Sequence, residues 1–260
     1  MQENGIEISA VAGTSAGSIV AALYGMEYTA DEMYKLFNYF SKSVMAISPK
    51  YLFSGVKEIR GITLGGITSS YNIEAAIKEA GKLKQIENIK DIKIPISIPT
   101  TDLITDKEII FTNHEELQGE EYIHDIEIGK AVRASSTFPG MYAPFDYKKY
   151  QFVDGGIFDN LPSGEVKKLG VDKVIAIKFK LKTPRKQNTI YNIAMQSLDL
   201  MTENLIKESI RISDYVIEID LRDVKPFSIS KLEFCYKEGY MQTLDNIAKL
   251  KKELRASGRE

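Results

Sequence analysis

The sequence predicts an α/β fold, a three-layer sandwich with a mostly parallel central sheet flanked by helices, built as a single domain over residues 1–260. Three observations predict it. Strand-like and helix-like runs alternate along the chain, the pattern of a sheet covered by helices. A G-x-S-x-G run, Gly13-Thr14-Ser15-Ala16-Gly17, lies between an apolar run, Ile6 to Ala12, and a helix-like run, Ser18 to Met26, which is the context of a nucleophile elbow. The β-type run Tyr150-Gln151-Phe152-Val153 ends in Asp154-Gly155-Gly156, an acid at a strand end, where open α/β sheets place their sites.

The elements follow in order. The elbow strand ends at Ala12, and helical patterns come next over about 16–26, 30–40 and 72–81. Residues 37–71 are the least regular part. Phe37, Tyr39, Phe40, Met45, Ile47, Tyr51, Leu52 and Phe53 are interleaved there with Ser, Lys, Pro and Gly, the composition of a lid, of an acyl-groove wall or of an ordinary cap on the core. Strands are predicted at 94–100 and 107–112, a helix at about 128–136, the 150–154 strand and a helix at 162–169. Asp159 or Asn160 reads as that helix's cap, with Pro162 in its first turn, so Asp159 is read as structural. Val171 to Lys180 and Tyr215 to Ile219 are β-branched strands around a long amphipathic helix at 189–211. A C-terminal helix is predicted over 232–260, and its Lys249, Lys251, Lys252 and Arg255 read as a solvated face near the negative end of its dipole ahead of a lipid-headgroup patch.

The elbow would push the Ser15 hydroxyl out of the backbone, with Gly13 and Gly17 letting neighbouring backbone pass close. The following helix aims its free N–H groups at the serine, that of Ala16 first. A serine needs a base. His114 and His124 are the only histidines, and both lie in the polar stretch Asn113 to Asp125, which reads as a surface connection. A Ser-His-Asp triad is therefore poorly supported, and Asp154 is the better base. Burial would raise its pKa and strengthen it. Gly155 and Gly156 form the turn that follows.

Together, G-T-S-A-G-S at 13–18, A-V-R-A-S-S-T-F-P-G at 131–140 and V-D-G-G-I-F-D-N-L-P at 153–162 resemble a patatin-like phospholipase, and Thr101-Asp102-Leu103 resembles a further family segment. The resemblance runs from residue 5 to about 220. It implies a patatin-like α/β domain and a Ser-Asp dyad that hydrolyses lipid acyl esters without histidine, with Ser15 as nucleophile, Asp154 as base and Ala16 as oxyanion donor. It also implies a strand and a glycine-rich oxyanion loop ahead of the elbow strand. No such run precedes Glu7, and Gly65-Gly66 stands out of order. One oxyanion donor and a weak activity are therefore expected of this chain. The alternative is a catalytically silent relative that binds lipid or a protein partner.

Composition narrows the rest. Net charge is -2, which makes no case for nucleic acid. The single Cys235, in a helical pattern, is a small packed residue. No Cys or His grouping suggests a metal, and the implied chemistry needs no cofactor. No apolar run approaches the ~20 residues of a membrane span, and Gln2-Glu3-Asn4 does not open a signal peptide. The expected partner is a lipid or acyl ester met at a membrane periphery, and the expected location is cytoplasmic, with secretion left open by the implied upstream segment.

Overall fold

The computed structural model describes residues 1–44, 70–181, 190–222, 224 and 229–256, in two compact units. One unit is Ala10–Pro162; the other is Met1–Ser9 with Ser163–Glu260. Of the irregular 37–71 stretch, Phe37, Tyr39 and Phe40 continue a helix, while Met45, Ile47, Tyr51, Leu52, Phe53 and Gly65-Gly66 lie outside the described residues.

The Ala10–Pro162 unit contains β1 (Val11–Ala12), α1 (Ala16–Gly25), α2 (Ala30–Val44), α3 (Tyr71–Leu83), β2 (Ile96–Asp102), β3 (Lys107–Thr112), β4 (Tyr122–Ile123), α4 (Ile128–Ser135), β5 (Phe145–Tyr147) and β6 (Tyr150–Asp154). A reciprocal capping box starts α2: Glu32 Oε2 accepts the Thr29 N–H at 2.8 Å, and the Glu32 N–H donates to Thr29 Oγ1 at 3.3 Å.

The sheet runs β4-β3-β2-β6-β5, with β1 also on β2. It is mixed. β1–β2 and β3–β4 are parallel, while β2–β3, β2–β6 and β5–β6 are antiparallel. Two of the antiparallel pairs are hairpins, whose connections are too short for the crossover that parallel pairing requires. Asp106 and Lys148 supply the positive φ of their turns, at 54° each. β2 is the central strand, and all seven of its residues are buried.

β3 occupies one edge of β2 from Ser97 to Asp102. The other edge is shared. β1 pairs parallel with Ile96 and Ser97, and β6 pairs antiparallel with Thr100 to Asp102. The two strands therefore run toward each other along one edge, and the chain ends they present are Ala12 and Asp154. The core against this sheet joins Ile96, Ile98, Ile109, Phe111 and Phe152 to Ala22 of α1 and Met26 just past its end, Ile73 and Ile77 of α3, and Ala131 and Val132 of α4. Phe111 meets Phe152 edge to face at 5.4 Å, a favoured aromatic geometry.

The other unit contains α5 (Ser163–Lys168), β7 (Ile175–Leu181), α6 (Ile190–Ile212), β8 (Tyr215–Leu221) and α7 (Leu232–Ala256). β7 and β8 pair in parallel from Ile175–Tyr215 to Leu181–Leu221. Ile217, Ile219, Leu221, Ile247 and Leu250 form its core, and Cys235 packs against it. Burial pushes the Cys235 thiol pKa up, as suits a packed residue. The α5 helix starts at Ser163, after Pro162, so Asp159 and Asn160 fall short of the cap position expected of them. Proline's fixed φ and missing N–H suit the helix boundary itself.

Candidate active site

Two residues, Gly13 and Thr14, separate the end of β1 from Ser15, and α1 starts immediately after it. Ser15 stands at φ 54° and ψ -124°, a backbone region that costs an L residue about 1–3 kcal/mol. Gly13 makes the turn possible. A Cβ there would lie 2.2 Å from the Gly17 carbonyl oxygen, so no side chain fits. The crowding is one-sided: a Cβ on Gly17 would meet nothing within 4 Å. The expected need for two close-passing glycines therefore holds at Gly13 only. The Thr14 hydroxyl donates to the Asp159 carbonyl at 2.7 Å, so Asp159 anchors the elbow through its backbone. Ala16 is exposed, and its N–H has no partner among the described residues, as for the first amide of a helix.

Asp154 closes β6 and is 4% exposed. Its N–H donates to the Thr137 carbonyl at 3.0 Å, and its carbonyl accepts the Thr101 hydroxyl at 3.1 Å. Oδ1 accepts the Gly156 N–H at 2.8 Å; Oδ2 is buried without a hydrogen-bond partner. Burial raises the carboxyl pKa to about 6, against the pull of the Ser15 hydroxyl and the Gly156 amide, which favour the charged form. Ser15 is thus close enough to act on the Asp154 charge, while Oδ2 lacks a partner at full hydrogen-bond geometry. A loose contact of this kind is common before substrate tightens a site. The turn leaves β2 no clearance: a Cβ on Gly155 would sit 2.3 Å from the Pro99 carbonyl oxygen. Gly156 supplies the amide that holds Oδ1.

Sequence reasoning missed the residues that hold this pair. Ser135, at the end of α4, accepts the Ser15 N–H at 3.0 Å. Ser136 donates to the Ser15 carbonyl at 3.0 Å, and Ser18 donates to the same carbonyl at 2.6 Å. Thr137 holds the Asp154 amide, as above, and its hydroxyl donates to the Arg133 carbonyl at 2.7 Å. Arg133 is itself fixed by a largely buried ion pair to Glu74 at 2.7 Å. The trace of this arrangement in the sequence is the polar run Ser135-Ser136-Thr137 within the 131–140 segment, where α4 ends.

The histidines stand apart from the pair. The ring nitrogens of His124 face the carbonyls of Thr112 at 3.1 Å and Leu117 at 3.0 Å, so it clasps a loop instead of lying solvated. His114 lies 3.7 Å from Glu116. Asp102 is fully buried but committed to a turn, where it accepts from the amides of Gln151, Ile104 and Thr105 and from the Thr105 hydroxyl. Among the described residues no grouping of His, Cys, Asp and Glu could hold a metal ion, and no helix is long and apolar enough to cross a membrane.

A strained serine on a strand-to-helix turn beside a buried carboxylate now stands within an α/β unit. The chain belongs to the patatin-like phospholipase family, whose family model matches residues 1–166. Lysophospholipase NTE1 of Candida albicans is 27% identical over 178 residues, which are 68% of this chain but span only 11% of that much longer protein. Probable lipid hydrolase 463L of Invertebrate iridescent virus 6 is 27% identical over 227 residues, 86% of this chain and 72% of that protein. VipD from Legionella pneumophila overlays with a TM-score of 0.47 and 15% identity, covering 95% of this chain and 63% of that one, a likeness too loose to argue from.

Proposed function

We propose that this chain is a serine acyl hydrolase that cleaves acyl esters of lipids at the cytoplasmic periphery of a membrane, with Ser15 as nucleophile and Asp154 as base. The observation that carries the reading is the buried Asp154 carboxyl, with a pKa of about 6, acting beside a serine held in a strained elbow. At neutral pH such a carboxyl is mostly ionised and is a far better proton acceptor than an ordinary aspartate. It takes the Ser15 proton as Oγ attacks the ester carbonyl. The oxyanion that forms is met by the Ala16 N–H and the positive end of α1. Asp154 returns the proton to the leaving alcohol, and the acyl group stays on Ser15. Water, deprotonated by Asp154, attacks the acyl carbonyl; the bond to Ser15 Oγ breaks, Asp154 returns the proton to Oγ, and the fatty acid leaves. No metal or cofactor enters these steps. Ile157 and Phe158, just after the Asp154 turn, and Val20 of α1 are exposed apolar side chains that suit an acyl chain. The hydrolase names of the relatives favour hydrolysis over silent lipid binding.

The test compares wild type with Ser15→Ala on an activated acyl ester and on a lysophospholipid. We expect turnover to fall by at least about a thousandfold with the melting temperature little changed, since a hydroxyl is all that is removed. A folded Ser15→Ala variant as fast as wild type rules out Ser15 as nucleophile.

A further inference from the structure

We infer that Ser135 and Ser136 are positioning residues, which set the rate at which Ser15 reacts by fixing its backbone from both sides. The inference rests on the Ser15–Asp154 reading above. Both polar groups of the Ser15 backbone are held by hydroxyls at the end of α4, some 120 residues away in sequence: the N–H by Ser135 Oγ at 3.0 Å and the carbonyl by Ser136 Oγ at 3.0 Å. The next residue, Thr137, accepts the Asp154 N–H at 3.0 Å. Three consecutive buried residues thus grip the nucleophile and the base together.

The two hydroxyls are not equivalent. The Ser15 carbonyl keeps a second side-chain donor, the Ser18 hydroxyl at 2.6 Å, when Ser136 is lost. The Ser15 amide has Ser135 alone among the described residues. A strained backbone released on one side relaxes, and a misplacement of about 1 Å at a reacting atom can cost about a hundredfold in rate. Ser135 should therefore matter more than Ser136.

The experiment measures kcat, KM, the pH profile and the exchange of the Ser15 amide by NMR in Ser135→Ala, Ser136→Ala and wild type, with Ser15→Ala and Asp154→Asn in the same series. Ser213→Ala is the control, a serine of the other unit just after α6, whose hydroxyl donates to the Ser209 carbonyl at 2.7 Å. We expect Ser135→Ala to lower kcat about ten- to a hundredfold and Ser136→Ala about three- to tenfold, with KM within about twofold and the pH midpoint unmoved. The Ser15 amide should exchange faster in Ser135→Ala, while Ser213→Ala loses stability but keeps its turnover. If Ser135→Ala does not fold, Ser135→Cys keeps the shape, weakens the acceptor and should lower kcat in the same direction. A kcat within twofold of wild type, a change in KM alone or a shifted pH midpoint overturns the inference. If Ser15→Ala and Asp154→Asn are silent while Ser135→Ala is not slowed, positioning fails and the dyad stands. If either dyad variant stays active, or wild type is inert, both readings fall.

Discussion

A carboxyl that titrates near pH 6 changes charge inside the range where most proteins work, and Asp154 is such a group. If it is the base, kcat/KM should rise with pH through a midpoint near 6 and level off above it. The same shift bears on stability. The folded pKa lies above the unfolded value, so between about pH 4 and 6 the folded state binds the extra proton and stability falls as pH rises. A rise from 3.8 to about 6 makes the ionised carboxylate cost roughly 3 kcal/mol at neutral pH. Asp154→Asn should therefore be inactive, and its stability relative to wild type should be greater at pH 8 than at pH 4.5 in denaturant titrations. An equal difference at the two pH values would mean that Asp154 is not strained by its burial. At this scale the sequence was most legible where a residue's own neighbours decide its geometry. Ser15 and Asp154 stand next to the glycines that shape their turns. The 131–140 segment that contains Ser135 and Ser136 carries part of the family resemblance, but the two hydroxyls act on a backbone some 120 positions away, and nothing within the segment discloses what they hold.

Among the elements, the β2–β3 hairpin depends on one side chain. Asp102 is fully buried, and burial alone would raise its pKa. The Thr105 hydroxyl and the amides of Gln151, Ile104 and Thr105 more than reverse this and hold it below the ordinary range. Because its folded pKa is depressed, its contribution is present above the unfolded value near 3.9 and is lost as pH falls through the folded value. Asp102→Ala takes away the acceptor shared by the amides of Gln151, Ile104 and Thr105 and frees the start of β6 at Gln151. We expect it to lower stability by about 2–4 kcal/mol at pH 7, with less of that loss remaining below pH 3. A variant as stable as wild type at pH 7 would refute the role. Long elements with a clear period, such as the helices from 71–83 and 190–212 and the strands 107–112 and 150–154, were legible because many residues vote for each. β4, with two residues, and β5, with three, were not, since so short a run carries no period. Nor did the sequence disclose the direction of β6 along β2, which follows from where the chain returns and not from any residue within the strand.

Across the whole molecule, order should be greatest where burial is continuous. β2 is buried over its full length and has partners on both edges, so opening it requires disrupting the sheet of the Ala10–Pro162 unit. In hydrogen-exchange mass spectrometry, peptides covering 96–102 should be the slowest of that unit, and those from α2 among the fastest. Exchange over β2 as fast as over α2 would show that the sheet centre lies elsewhere. The α/β class was legible from the alternation of runs. Two units, each with a core of its own, were not, because hydrophobic residues recur at similar density throughout and carry no label for the core they join.

Pro99 stands in the middle of β2, a place where proline ordinarily breaks a ladder because it has no amide proton. The carbonyls of Pro95 and Ser97 accept the amides of Val11 and Gly13, so by the two-residue alternation of a strand the backbone of Pro99 faces that same side. There β1 has ended and β6 has not yet begun to pair. The missing proton falls in the gap between two abutting strands, where neither pairs with β2. A residue that looks in one dimension like an interruption is, in three, the seam at which Ser15 and Asp154 arrive from opposite directions.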